Sequence, residues 1–211
     1  DVLQPITGNR VNCSNGMADL YLCENVDLIS FLPISAIGGD RGVRLNDMWG
    51  WTDPETDKNY AIVGRNEGTS FVDVTDPLNP VYIGNLPLTE GAQPSSWRDM
   101  KVYKNHVYVV ADNAREHGMQ VLDLTQLRDF DGEPILFEET TIYDNVNSVH
   151  NIVINEETGY AFAVGSGGGG ETCGGGLHMI DIQDPANPTF AGCFADPSTG
   201  RSGTGYTHDA Q

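Results

Sequence analysis

Positively charged side chains are scarce in this sequence. Its 211 residues include 11 Lys and Arg against 30 Asp and Glu, which gives a formal net charge of −19 at neutral pH. Nucleic acids and anionic membrane surfaces are bound through clustered Lys and Arg, so we predict that neither is a partner. An acidic surface keeps a protein soluble and concentrates cations around it. A plain solvated surface and a cation-handling role both remain open.

Long apolar runs and helical patterns are missing as well. The sequence has no run of about 18 apolar residues, so we predict no membrane span in this chain. Its start, from Asp1 to Pro5, lacks the basic and apolar regions of a secretory signal peptide. If the protein is exported, we therefore expect this to be the mature or trimmed form. No long segment shows a helical period, and only 124–131 could form a helical turn.

Cysteines are few, and no CxxC motif brings two of them together. Cys13 and Cys23 are ten residues apart, Cys173 and Cys193 are twenty apart, and no His lies at zinc-finger spacing from either pair. An even number in local pairs favours two disulfides, Cys13–Cys23 and Cys173–Cys193, over free buried thiols. We therefore predict an oxidising compartment.

A polar pair recurs along the chain at nearly constant spacing. Its copies are Asn46-Asp47, Arg98-Asp99, His150-Asn151 and His208-Asp209. The second members are separated by 52, 52 and 58 residues. Self-similarity at a period of about 50 residues indicates a propeller or a solenoid.

Each repeat carries four short strand signals separated by turn residues, which indicates an all-β architecture. We predict a β-propeller with four-stranded blades: about three blades at 45–94, 95–147 and 148–205, and the start of a fourth at 206. Residues 1–44 are predicted to form a disulfide-stapled N-terminal lead-in, in which 26–32 is a candidate strand. A fourth strand of the second blade is predicted over 135–142.

The third strands of two repeats end in the same motif. Asp76-Pro77-Leu78-Asn79-Pro80 corresponds to Asp184-Pro185-Ala186-Asn187-Pro188. Because Pro cannot donate to a strand ladder, we place this motif in the link between the third and fourth strands and give it a structural role.

With the preceding apolar-apolar-Asp signal, as in Phe71-Val72-Asp73 and Met179-Ile180-Asp181, the repeat resembles the LVIVD-repeat β-propellers. More narrowly, the chain is similar to the choice-of-anchor B family of exported bacterial proteins over nearly all of residues 20–211. Segments that carry the similarity include Trp49-Gly50-Trp51-Thr52-Asp53-Pro54, Ser95-Ser96-Trp97-Arg98-Asp99 and Tyr206-Thr207-His208-Asp209. The resemblance implies an extracellular or cell-surface protein with further blades beyond the Thr-His-Asp segment. We therefore expect the remaining blades in the same polypeptide or in a partner chain.

The first strands of propeller blades line the central channel, so the recurrent polar pairs are expected to converge there. Candidate metal ligands are Asp47, Asp99, His150, Asn151, His208 and Asp209. Oxygen ligands alone would suit Ca²⁺, whereas paired His with Asp would suit a transition metal. In the alternative interpretation, the repeated Asp binds backbone amides of the neighbouring blade and fixes its spacing. The two histidines break the pattern of the earlier copies and are the better functional candidates.

The sequence identifies no catalytic residue and no organic cofactor. Trp49, Trp51 and Trp97 could form a sugar-stacking platform, although aromatic residues in first strands more often fill the space between blades. We predict a binding or scaffolding module, exported to the cell surface or secreted, with a surface protein or a glycan as partner. The alternative is a metal-dependent propeller enzyme, a hydrolase or an oxidoreductase, with an axial metal site.

Overall fold

The computed structural model describes residues 3–198 and 205–210. These residues form an all-β structure with three mainly antiparallel sheets in chain order, a small N-terminal hairpin and three short 3₁₀ helices. In the described part of the chain, no helix is long and apolar enough to cross a membrane.

The N-terminal segment is held by a disulfide rather than by a sheet. Cys13 and Cys23 are bonded, as predicted, around a hairpin of β1 (Met17–Ala18) and β2 (Tyr21–Leu22). The strand predicted over 26–32 is wrong, because this stretch makes only single bridges, from Leu28 to Val11 and from Phe31 to Ile6. A 3₁₀ helix follows at Ile34–Ile37 and ends where Gly38 adopts a φ of 81°.

The first sheet contains β3 (Leu45–Thr52), β4 (Asn59–Arg65), β5 (Gly68–Asp73) and β6 (Val81–Pro87), each antiparallel to the next. A fifth strand, β10 (Ile135–Leu136), comes from much later in the chain and pairs with β6 in parallel. The first sheet therefore has one strand more than the four that were predicted.

The second sheet is a meander of β7 (Arg98–Tyr103), β8 (His106–Ala111), β9 (Met119–Asp123) and β11 (Thr141–Tyr143). The single strand predicted over 135–142 is wrong, because the segment divides between β10 and β11. Buried Phe137 separates the two halves and packs edge-on against Phe71 of the first sheet, with ring centroids 5.3 Å apart. The helical turn predicted near 124–131 is confirmed as a 3₁₀ helix at Leu124–Asp129.

The third sheet contains β12 (Asn151–Asn155), β13 (Tyr160–Val164), β14 (Leu177–Asp181) and β15 (Thr189–Phe194). The predicted disulfide Cys173–Cys193 ties β15 to the loop before β14. The Asp-Pro-x-Asn-Pro motif lies between the third and fourth strands, where Asn187 donates to the side chain of Asp184 at 3.0 Å. In the first sheet Asn79 donates to Asp76 at 2.8 Å in the same way.

Two apolar layers hold the three sheets together. One contains Ile62, Phe71 and Leu86 of the first sheet with Met100 and Leu122 of the second. The other packs strands β8 and β9 of the second sheet against strands β12, β13 and β14 of the third. The first strands are neighbours, because β7 contacts both β3 and β12. The polar residues at the start of each first strand are thereby brought to one place.

Candidate functional site

The recurrent polar pairs line one open cavity of about 650 Å³. All six predicted ligand residues are on its wall: Asp47, Asp99, His150, Asn151, His208 and Asp209. Asn46, Trp49, Trp97, Arg98 and Lys101 also line it. The convergence that the sequence repeat predicted is therefore present among the described residues.

Members of the polar pairs bind the backbone of the next repeat. The side-chain amide of Asn46 donates to the carbonyl of Arg98 at 2.7 Å. The carboxylate of Asp99 accepts the amide N–H of Ile152 at 2.8 Å. The side-chain amide of Asn151 donates to the carbonyl of His208 at 3.1 Å. Such contacts are the kind that the architectural interpretation expects, in which the repeated residue fixes the spacing between blades.

Asp99 is the most constrained of the six candidates. One oxygen accepts the Ile152 N–H, and the other accepts the Met100 N–H at 2.8 Å and the Lys101 ammonium at 2.6 Å. Burial raises the pKa of this carboxyl, and the Lys101 charge opposes that rise. Because both oxygens are engaged, Asp99 has little capacity left for a ligand.

His150 and His208 are in direct contact. Their Nε2 atoms are 2.8 Å apart, and Nδ1 of His150 is 2.9 Å from a carboxylate oxygen of Asp112. The carboxylate can only accept, so Nδ1 of His150 carries a proton, and in the neutral ring Nε2 is left with a lone pair towards His208. A carboxylate behind an imidazole is the usual outer partner of a metal-bound histidine. The pair can therefore share a proton or offer two nitrogen ligands to a metal.

Sequence reasoning missed Asp112, because it lies outside the repeated pair. It directly follows the second strand of its sheet, and Asn66 holds the corresponding place after β4. A polar residue at that position in two repeats is the signal that could have indicated it.

The six predicted residues surround the cavity without forming a compact ligand cluster. Among the described residues, Glu171, Cys173 and Cys193 are the one group of three or more metal-binding side chains close enough to share an ion. Two members of that group are bonded to each other as a disulfide. The nitrogen atoms of His150 and His208 fit a transition metal better than Ca²⁺, which takes oxygen ligands.

The three tryptophans divide into two roles. Trp51 is buried and stacked on Tyr60, with ring centroids 5.4 Å apart, so it fills the layer between sheets. Trp49 and Trp97 line the cavity and are 40% and 56% exposed. The Lys101 ammonium lies 4.3 Å from the Trp49 ring centroid. The Trp97 ring and the face of Trp49 that Lys101 does not cover therefore lie beside carboxylates and amides.

The remaining histidines are packing residues. His178 is buried, with Nε2 2.7 Å from the Tyr143 hydroxyl and Nδ1 2.7 Å from the Glu171 carbonyl. Burial lowers the pKa of His178 and of His106, and it lowers the pKa of His117 to about 4. These imidazoles are therefore neutral at physiological pH.

Comparison with known proteins gives one match. Neither the search of curated proteins nor that of solved structures found a similar chain. Residues 173–196, which hold the second disulfide, β14 and β15, match the family model of the LVIVD repeat. The chain therefore contains an LVIVD repeat in its third sheet, where the apolar-apolar-Asp and Asp-Pro-x-Asn-Pro signals predicted one.

Proposed function

We propose that this chain is part of an extracellular or cell-surface β-propeller that acts as a binding module. The observation that carries the proposal is the side-by-side arrangement of β3, β7 and β12, whose polar pairs meet at one cavity. In this proposal the three large sheets are blades, residues 45–211 belong to the propeller, and 1–44 are its stapled lead-in. The narrower assignment to the choice-of-anchor B family remains part of the proposal.

The disulfides support the extracellular location. Both link cysteines that are close in sequence, and there is no free cysteine in the described residues. Such bonds persist in oxidising compartments and are rare in reducing ones. The LVIVD repeat is compatible with the same location.

The flanks of the array support the presence of further blades. Phe190 and Phe194 are exposed on the outermost strand of the third sheet, and Leu45 and Met48 are exposed on β3. Apolar residues on open sheet edges favour association. The chain without its remaining blades is expected to self-associate in size-exclusion chromatography with light scattering, and a stable 22.9 kDa monomer would contradict this part of the proposal.

A surface glycan is the partner that the cavity chemistry favours. Sugars stack on aromatic faces and bind carboxylates and amides through their hydroxyl groups. Trp49 and Trp97 supply the faces, while Asp47, Asn151 and Asp209 supply polar groups on the same wall. The net charge of −19 makes a neutral or cationic glycan the better fit.

An array of bacterial surface polysaccharides and oligosaccharides tests this assignment. The protein is expected to bind a defined set of glycans, and Trp97→Ala and Trp49→Ala are expected to weaken binding at least tenfold. Phe194→Ala is the matched control, because Phe194 is an equally exposed aromatic residue that does not line the cavity. The absence of any bound glycan, or equal binding by all three variants, would contradict the glycan assignment.

A metal-dependent propeller enzyme is the second candidate. The contact between His150 and His208, with Asp112 behind it, favours this function. A transition metal held by the two imidazoles would activate a bound water for hydrolysis or support redox chemistry. Asp47 and Asp209 are exposed on the wall of the same cavity and supply further carboxylate oxygens there.

Metal analysis of protein purified without chelator or histidine tag separates the two functions. The enzyme hypothesis predicts about one equivalent of a transition metal, and less than about a tenth of an equivalent would exclude it. His150→Ala and His208→Ala should each abolish bound metal. His106→Ala is the control, because His106 lies outside the cavity and should leave the metal content unchanged.

A further inference from the structure

The apolar layer between the first and second sheets ends in buried polar groups that have no partner. Arg98 is 2% exposed, and within residues 3–198 and 205–210 none of its three guanidinium nitrogens has a hydrogen-bond acceptor. The hydroxyl of Thr69 and the side-chain carbonyl oxygen of Gln120 are also buried and unpaired. A charged group in this condition is costly unless something compensates it.

The register places these groups on the same inter-sheet face. Arg98 is two residues from Met100 on β7, Gln120 is two residues from Leu122 on β9, and Thr69 is two residues from Phe71 on β5. The three apolar partners, Met100, Leu122 and Phe71, all belong to the layer between the first and second sheets. Side chains two residues apart on a strand share a face, so the polar groups extend that layer towards one end.

The surroundings of Arg98 add to the cost of burying its positive charge. The interactions that shift its pKa are burial and the positive charge of Arg65, and both lower it, to about 10. Arg98 therefore stays protonated at neutral pH, and the positive charge of Arg65 repels it.

The other polar groups do not supply a negative charge. The Gln120 side-chain N–H donates to the carbonyl of Pro87 at 2.9 Å, which fixes the amide with its oxygen unpaired. Nδ1 of His117 lies 3.0 Å from the carbonyl of Gly118 and must donate to it, so the unpaired Nε2 is an uncharged acceptor. Arg65 has its own partners, the carbonyl of Gly38 and the carboxylate of Glu67 at 3.7 Å. One positive charge, that of Arg98, is left without compensation.

We propose that a small monovalent inorganic anion of the chloride type binds the guanidinium of Arg98 between the first and second sheets. One negative charge balances the single uncompensated positive charge, and the Thr69 hydroxyl is a second donor. Arg98 belongs to the wall of the open cavity, and its guanidinium is buried behind that wall. The anion joins the two sheets at the polar end of their apolar layer, so it acts as a structural ligand of the fold.

Thermal unfolding of the full chain in sodium chloride tests the proposal, with sodium gluconate holding the ionic strength constant. A ligand that binds only the folded state raises the folding equilibrium constant tenfold for each tenfold rise in its concentration above Kd. For a protein of this size, that is an increase in Tm of about 3–6 °C per decade. Arg98→Met is expected to abolish the dependence. Arg115→Met is the matched control, because Arg115 is exposed and its replacement should leave the slope unchanged.

Halide released on denaturing desalted protein is the second measurement. Chromatographic detection of about one equivalent supports the site, because desalting removes halide that is not bound to the protein. A Tm that does not rise with chloride would overturn the proposal, because an ion that is released on unfolding raises Tm at every concentration above Kd. Equal chloride slopes in the wild type and Arg98→Met would overturn it as well. If Arg98→Met does not fold, the release measurement on the wild type decides.

Discussion

Replacing Asp99 with Ala removes the carboxylate that joins the second sheet to the third. In the folded protein this side chain accepts the N–H groups of Ile152 and Met100, both at 2.8 Å, and the ammonium of Lys101. Ile152 and Met100 are fully buried. The substitution therefore leaves two buried backbone donors without an acceptor beside the open cavity.

The size of the effect follows from those two donors. A buried donor that loses its acceptor costs about 1–3 kcal/mol, so the pair gives about 2–6 kcal/mol. Water entering from the adjacent cavity reduces this loss, and we expect the free energy of unfolding to fall by about 3 kcal/mol. At about 2–4 °C per kcal/mol for a chain of this length, Tm should drop by about 6–12 °C. Asp99→Asn keeps one accepting oxygen and should lose about half as much.

Differential scanning calorimetry with EDTA present is the suitable assay, because any metal contribution is then removed. Asp209→Ala is the matched control: this Asp holds the same place in the last repeat but is exposed, so its loss should cost less than about 0.5 kcal/mol. If Asp99→Ala unfolds within 1 °C of the wild type in EDTA, the bridging role is refuted. A loss that appears only without EDTA would instead assign Asp99 to a metal site.

Three further predictions concern the sheets and their links. Arg128, the Glu55 N–H and the Thr56 hydroxyl hold the pKa of Asp53 well below its ordinary value of 3.8. This carboxylate therefore stabilises the fold at neutral pH and loses that contribution as pH falls below about 5, so urea unfolding of Asp53→Asn should show a weaker acid dependence than the wild type. Opening the Cys173–Cys193 bond by double replacement with Ser should lower the unfolding free energy by about 3 kcal/mol, from the twenty-residue loop it closes, and an unchanged urea midpoint would contradict this. Gly84→Ala places a Cβ against the backbone of Ile135, so hydrogen exchange at the amides of β10 should accelerate, whereas retained protection would show that the strand accommodates the methyl group.

Local patterns were sufficient for most strands and for both disulfides. β8 (His106–Ala111) and β15 (Thr189–Phe194) are the second strand of the second sheet and the fourth strand of the third, within the blades predicted at 95–147 and 148–205. Repetition made this possible, because each copy of the polar pair and of the Asp-Pro-x-Asn-Pro motif gave independent support for the same local structure. The cysteine pairs were readable because each is local in sequence.

Contacts between distant segments could not be predicted from local patterns. The guanidinium of Arg128 binds both oxygens of Asp53 across 75 residues, and neither residue carries a pattern that points to the other. Asp112 reaches His150 across 38 residues. The division of 135–142 into two strands depends on where Phe137 is buried, which is a property of the packed sheets. Tertiary packing set these features, and local propensity contained no information about them.

The parallel pairing of β10 with β6 also constrains the order in which the chain can fold during synthesis. Strands β3 to β6 leave the ribosome by residue 87, but the strand that covers their outer edge ends at Leu136. The outer edge of the first sheet therefore stays unpaired while some fifty more residues are translated, at about 5–20 residues per second. For those seconds it is exposed to pairing with another nascent chain. Completion of the first sheet is thus tied to the emergence of most of the second, and we expect the two to become protease-resistant together on the ribosome.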